Sequence, residues 1–455
     1  MKKKLLPVII AESVVLVLLL VAAAAVFLGG RGRNQMPELP PDTQVQLQST
    51  QPTEPPATQP TVPPTTQPPE PEPEIVRITM SFTGDVTLGK NHRMEHFSGT
   101  FNDYYDQNGP DYFLENVRPI FEADDLTIIN LEGSITDSQD RQDHEFCHKA
   151  PLEYVQILSG SSVEVATMAN NHRWDYGYEG QQDTIQVLTE NNIAYCFDDN
   201  YAVCEVKGFK IGFVSVNASY GAYVDNYVKK GHEKLREQGC DLVILCIHWG
   251  SGKTYIPEAS QLRLGPWAID LGYDLVIGNH PHVLQGIQKY KGKFICYSLG
   301  NFCFGSNNNP ADKDSGIFQQ TFTFVDGVLS PDAEARLIPC YLSSIQTRND
   351  FKPTLAEGEE AQRILEKVSA MSREYGLELD EEGRAVECEP VIKPKPDTKP
   401  EDKPVVNPEP EPEPEPEPTE PTEPVEPEPE PEPEPEQEPT EPTDPVEPEP
   451  TPETE

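Results

Sequence analysis

Two carboxylates, one amide and four imidazoles in this chain each stand at the end of an apolar run, within six short polar motifs. They read Thr83-Gly84-Asp85, Asn130-Leu131-Glu132-Gly133, Ala169-Asn170-Asn171-His172, Ile247-His248-Trp249-Gly250, Gly278-Asn279-His280-Pro281-His282 and Ser298-Leu299-Gly300-Asn301-Phe302. A strand that ends in such a residue delivers its side chain to one edge of a sheet, and open α/β sheets bind ligands outside the carboxyl ends of their strands. Asp85, Glu132, Asn171, His172, His248, His280 and His282 together form a ligand set for a dinuclear metal centre. Mixed carboxylate, amide and imidazole donors suit Mn, Fe or Zn rather than Ca. The reaction such divalent ions support is hydrolysis, by acidifying a bound water and stabilising charge on the attacked group. Taken alone, His248 reads as a hydrogen-bonded structural residue, and Asp85 after Gly84 as turn chemistry. The histidines downstream and the strand-end position of Asp85 favour the ligand reading. Asn301 is balanced between a hydrogen-bonding support and a turn residue. Trp249 reads as packing. His92, His144 and His148 match no metal position and are read as surface or substrate-side residues.

The elements that must position these side chains alternate. Strands are expected over 75–83, 126–130, 163–168, 241–247 and 274–277, with helices over 112–122, 180–191, 227–238 and 261–271 between them. Hairpins are expected at Gly208 and at Lys291-Gly292-Lys293. Further strands over 316–324 and 335–342 and a helix over 358–375 complete the pattern. Strand–helix–strand alternation implies βαβ units, and the hairpin-rich end an antiparallel addition. The fold class is α/β, a layered α/β/β/α sandwich with helices outside.

Composition divides the chain of 455 residues. Its net charge is −42 and 48 residues are proline, both concentrated outside the middle. Residues 391–455 form a Glu-Pro repeat with 23 acids against 4 lysines, and 34–74 hold six acids and no base in a Pro/Thr/Gln-rich stretch. Neither can bury enough apolar surface to offset its ordering entropy, so both are expected to be disordered, extended spacers. The middle, 75–390, is long enough for one domain with a full core. It is acidic too, which excludes nucleic acid as a partner class. Residues 1–33 carry Lys2-Lys3-Lys4 and then an apolar stretch broken only by Glu12, which reaches the roughly 20 residues of a membrane span. The expectation is an uncleaved signal anchor, a single transmembrane helix in the cell membrane with the domain outside the cytoplasm. A cleaved signal peptide ending near Ala22–Ala25 is the alternative. Nine cysteines without a paired spacing read as buried thiols rather than a disulfide framework.

The six motifs in this order, with Asp175-Tyr176-Gly177 following Asn-Asn-His, resemble the CapA-type family of bacterial capsule synthesis proteins associated with poly-γ-glutamate. The likeness runs over roughly residues 77–345, and that family is similar to a divergent branch of the calcineurin-like metallophosphoesterases. The resemblance implies one cation position made by Glu132, Asn171 through its carbonyl oxygen, His248 and His280. It implies a second made by Asp85, the shared Glu132 and His282. The second position is less saturated, because Thr87 stands where a ligand histidine is expected. His172 is implied as general acid or charge stabiliser, with Asp175 orienting it or capping the next helix. The function implied is synthesis, export or retention of a capsule or envelope polymer. Two other functions compete: a phosphoesterase acting on an envelope phosphate ester, and a non-catalytic partner of membrane polymer-synthase subunits.

Overall fold

The computed structural model describes residues 72–331 and 333–391. Among these residues no helix is long and apolar enough to cross a membrane. The expected membrane span within 1–33, the linker up to residue 71 and the acidic tail from residue 392 lie outside the described residues.

The fold is mixed α/β, built on two large sheets. The chain enters the first sheet with β1 (Ile75–Thr87), β2 (Leu126–Leu131), β3 (Val165–Thr167) and β4 (Ala194–Cys196). It passes to the second with β5 (Ala202–Val206), β6 (Phe209–Asn217), β7 (Leu242–His248), β8 (Leu275–Asn279), β9 (Ile287–Tyr290) and β10 (Lys293–Cys296). It then returns to the first with β11 (Asn301–Phe304), β12 (Asp314–Val325), β13 (Glu334–Tyr341) and β14 (Thr354–Leu355). The first sheet runs β14-β13-β12-β1-β2-β3-β4, with β11 beside the end of β1, and the second runs β9-β10-β8-β7-β6-β5. β1 to β4 are mutually parallel, as are β6, β7, β8 and β10. The hairpins expected at Gly208 and at Lys291-Gly292 are the antiparallel pairs β5–β6 and β9–β10.

Strand alternation makes the layers. Along β7, Leu242, Ile244 and Cys246 enter the core between the sheets, while Val243, Leu245 and Ile247 pack outward on helices. The same parity places His248 on the inter-sheet side. β2 divides likewise, with Leu126 and Ile128 inward and Ile129 and Leu131 outward. The outward faces are covered by α1 (Phe101–Asn108) and α2 (Gly177–Glu190) on the first sheet, and by α3 (Val224–Glu237) and α4 (Ala259–Leu271) on the second. In α3 the buried residues Val224, Val228, Gly231 and Leu235 form one stripe at helical spacing. α5 (Gly358–Ser372) follows β14, and its Ile364, Leu365 and Val368 join the inter-sheet core. Two glycines are required where backbones converge on the site. A Cβ on Gly84 would lie 2.1 Å from Gly300 O, and one on Gly278 would lie 2.2 Å from Tyr297 O and 2.3 Å from Trp249 Nε1.

Three expectations need correction. The helix expected over 112–122 is a series of turns ending in one short helical segment, Arg118–Phe121. Pro119 is at its start, where proline's missing N–H costs nothing, and Phe113, Val117 and Phe121 are buried without a continuous helix. β1 does not end at Thr83. It continues to Thr87 through a register shift between Phe82 and Asp85. Before the shift the even residues Ile78, Met80 and Phe82 face the inter-sheet core, and after it Val86 faces the opposite layer. The irregularity thus turns Asp85 toward the second sheet. Asn301 begins a strand rather than ending one. All nine cysteines are free, and seven are buried, as expected of thiols without a framework.

Candidate metal centre

The residues selected from sequence come together where the two sheets meet at their carboxyl ends. Glu132, just past β2, is the focus. Its Oε1 lies 3.6 Å from His248 Nε2, 3.8 Å from His282 Nε2 and 4.0 Å from His172 Nε2. Asp85 Oδ2 is 3.1 Å from His282 Nδ1 and accepts the His280 backbone N–H at 3.3 Å. His248 Nε2 is 2.6 Å from Asn171 Oδ1 and 2.9 Å from His280 Nδ1. Two groups of ligand atoms result, Glu132–His248–His280 and Asp85–Glu132–His282, and they share Glu132. Asn171 adjoins the first through His248.

Local backbone explains how two histidines one residue apart reach different groups. They lie in a turn after β8 rather than in a strand, with φ of 96° at His280 and 57° at His282. Left-handed backbone at a non-glycine residue costs of order 1–3 kcal/mol, and such strain concentrates at functional sites. The turn is fastened by Lys253 N donating to Pro281 O at 2.7 Å and by Asn301 Nδ2 donating to His282 O at 3.2 Å.

The donor set fits divalent cations. Glu132 is fully buried, yet neither carboxylate oxygen has a hydrogen-bond partner. A buried, unpartnered carboxylate is costly. The imidazole nitrogens around it are too distant for hydrogen bonds. They match two ligands of one ion, which lie about 3.4 Å apart when each bond is about 2.1 Å in tetrahedral geometry. Protonation follows the same logic. Burial pushes the Glu132 carboxyl up and holds His248 well below its ordinary value. Burial also takes His280 down to about 4, so both of these rings are neutral and able to coordinate. At Asp85 burial acts upward, but His282, His248 and Asn130 outweigh it and hold the carboxyl down. At His282 burial acts downward, but Glu132, Asp85 and Asn301 outweigh it and raise the ring. In the metal-free protein a proton on His282 therefore takes the place of a cation between the two acids.

Sequence reasoning singled out His172 and Asp175, and the structure joins them. Asp175 is fully buried, and its Oδ2 lies 2.8 Å from His172 Nδ1. Helix α2 has no side-chain cap, so Asp175 orients the imidazole rather than capping. Burial would lower His172, but Asp175 and Glu132 more than offset it and raise the ring above its usual value. Three supporting residues were not assigned from sequence. Asn130 Nδ2 donates to Asp85 Oδ1 at 2.8 Å and lies 3.3 Å from His248 Nδ1, bridging both groups. Its signal was its place in the same motif as Glu132. Asn301 Oδ1 lies 2.9 Å from His282 Nδ1, which decides the balance left open by sequence. His148 is buried against His172 with ring centroids 4.0 Å apart, and its Nε2 lies 2.7 Å from Ser306 Oγ. Nothing in its sequence context marked it. Trp249 is packing, as expected, with Nε1 donating to Tyr297 O at 2.8 Å. Thr87 is buried with its hydroxyl unpartnered.

A cleft of about 740 Å³ opens on the His172–His282 side, lined also by His148, Lys253, Asn301 and Phe304. A smaller one of about 380 Å³ opens beside Asn171, His248 and His280. Truncating Asn301 to Ala is expected to weaken metal binding at the Asp85–Glu132–His282 group 10- to 100-fold, because ligands lose affinity when the partner of their second ring nitrogen goes. Asn301→Asp, which keeps an acceptor oxygen, should recover most of it. Competition with a chromogenic chelator measures both.

The fold and this cluster define a mixed α/β protein whose strand ends gather carboxylate, amide and imidazole groups able to bind divalent cations. The chain belongs to the bacterial capsule synthesis protein family PGA_cap, whose profile matches residues 79–306 and takes in all six motifs. It is 29% identical over 266 residues to the PGA biosynthesis protein CapA of Bacillus subtilis (strain 168), covering 53% of this chain and 67% of that protein. It is 29% identical over 271 residues to the capsule biosynthesis protein CapA of Bacillus anthracis, covering 53% of this chain and 63% of that one. The matches thus span about two thirds of these relatives' own length. Among solved structures, the purple acid phosphatase PPD1 from yellow lupin seeds aligns over 58% of this chain and 51% of its own, with 9% identity and a TM-score of 0.29.

Proposed function

We propose that this is a membrane-anchored, extracytoplasmic protein acting in the synthesis, export or retention of a poly-γ-glutamate-type capsule polymer, through metal-dependent hydrolysis in a metallophosphoesterase-like site. The observation that carries the chemistry is Glu132, a fully buried carboxylate with both oxygens unpartnered and shared by two ligand groups. The family and its relatives' names support the polymer, and the apolar stretch within residues 1–33 supports the anchor.

Divalent cations, when bound, supply Lewis acidity and an acidified water. Asp85, Glu132, Asn171, His248, His280 and His282 hold them. Asn130 and Asn301 fix the rings of His248 and His282. His172, held at Nδ1 by Asp175, presents Nε2 toward the group and gives its proton to the leaving atom. The larger cleft receives the polymer. Its Lys253 adds positive charge beside His282, which an anionic chain needs from a domain that is acidic as a whole.

The test is polymer display on cells that carry the chain with Glu132→Gln and His280→Ala together. Loss of display is expected, and unchanged display would remove the metal-based role. A phosphoesterase is the second reading, supported by the shared-carboxylate arrangement itself. A panel of chromogenic phosphate esters with Mn²⁺ separates the two, since absence of turnover with every metal tried eliminates the phosphoesterase.

A further inference from the structure

We infer a separate cation site, outside the Glu132 groups, formed by His144, Cys147 and Asp175 and suited to Zn²⁺. It does not depend on the function proposed above.

Asp175 has two oxygens with different situations. Oδ2 accepts the His148 backbone N–H at 2.6 Å and faces His172 Nδ1 at 2.8 Å. Oδ1 is buried and has no hydrogen-bond partner. Its near neighbour is His144 Nδ1 at 3.6 Å, beyond hydrogen-bond reach but close to the separation of about 3.4 Å between two ligands of one tetrahedral zinc. Cys147 completes the group, since one ligand atom from each of the three residues lies within 4.8 Å of the others. The thiol is fully buried and lies 3.4 Å from Gln142 O and 3.9 Å from His144 O. Burial and the Asp175 carboxylate push the thiol up, with the His144 carbonyl and Arg141 acting against them, so an ion that binds here displaces the proton from sulfur.

The donor types select the ion. A thiolate, an imidazole and a carboxylate suit zinc, where Mg, Ca and Mn take oxygen-rich sets. One thiolate and one carboxylate balance its two charges. His144 is half-exposed, which gives an ion a route in and leaves a position for water. The site also has a structural reason. Residues 136–147 form a long connection without regular structure, between the short strands Ser134–Ile135 and His148–Ala150. One backbone bond, Gln142 N to Asp175 O at 2.9 Å, ties it to the segment before α2. An ion held by His144 and Cys147 from the loop and by Asp175 from that segment fastens the two together. Through the other oxygen of Asp175 it steadies the imidazole of His172, so here Asp175 acts as a positioning residue.

Cobalt reports this site apart from the other. None of the ligands in the Glu132 groups is a thiol, so a thiolate-to-cobalt charge-transfer band in the near ultraviolet does not come from them, and its loss in Cys147→Ala assigns it to Cys147 among the nine free cysteines. The full-length chain, freed of metal and titrated with Co²⁺, is expected to show that band. Cys147→Ala and His144→Ala should each lose it, along with one equivalent of zinc by elemental analysis, and His280→Ala should keep it. His144 is an exposed loop residue, so its variant keeps the test sound if the cysteine variant folds poorly. No band in the unaltered chain, or a band that survives in both variants, overturns the proposal.

Discussion

Glutamine in place of Glu132 is expected to abolish cation binding at both groups and to lower any hydrolytic rate by about 1,000-fold or more. The substitution keeps the side chain's volume, so packing is preserved. It removes the one charge the two groups share, and a neutral amide cannot bridge two cations. Losing several kcal/mol of charge stabilisation corresponds to about three decades of rate. Stability should move in the opposite direction when metal is withheld. The Glu132 carboxyl is raised by burial, so the folded chain favours its protonated form. That contribution is complete below the ordinary glutamate value and is lost as pH rises through the higher folded one. The chelated wild type should therefore melt at progressively lower temperature from about pH 5 to 8, while the glutamine variant stays flatter. Added metal should reverse the ranking, since saturation at about a thousand times Kd contributes roughly 4 kcal/mol to the wild type alone. Elemental analysis and melting curves at several pH values measure this. A variant that retains its full metal content would show that Glu132 is not the shared ligand.

That experiment targets the part of the site the sequence made most legible. Asp85, Glu132, Asn171, His248 and the His-Pro-His pair were recognisable because each follows an apolar run, and strand ends deliver side chains to one edge. The strands β2, β7 and β8 were legible for the same reason, being short, mostly apolar and wholly buried. What stayed hidden depends on geometry that periodicity does not encode. The register shift that turns Asp85 toward the second sheet leaves no composition signal. The left-handed backbone at His280 and His282 is unusual for histidine and is imposed by contacts with Lys253 and Asn301, remote in sequence. Asn130 sits two residues before Glu132, but its bridge between Asp85 and His248 exists only once the two sheets face each other. The orphan oxygen of Asp175 belongs to the same class, since burial without a partner is a property of tertiary structure.

Removing the imidazole of His172 should separate proton transfer from metal binding. His172 belongs to neither Glu132 group, so His172→Ala is expected to keep the metal content and lose rate by about 100- to 10,000-fold. The loss should depend on the leaving group. A substrate releasing a nitrophenolate needs little protonation and should suffer least, while one releasing an alkoxide or an amine should suffer most. The pH profile adds an independent readout. Burial alone would lower His172, but Asp175 and Glu132 raise it, so the acid form persists above the usual histidine range. A rate that needs this proton falls as pH rises through the raised value. Asp175→Asn takes away the strongest upward influence and should move that alkaline limb to lower pH. Equal losses for every leaving group, or metal lost together with the ring, would place His172 among the ligands and end its assignment as the acid.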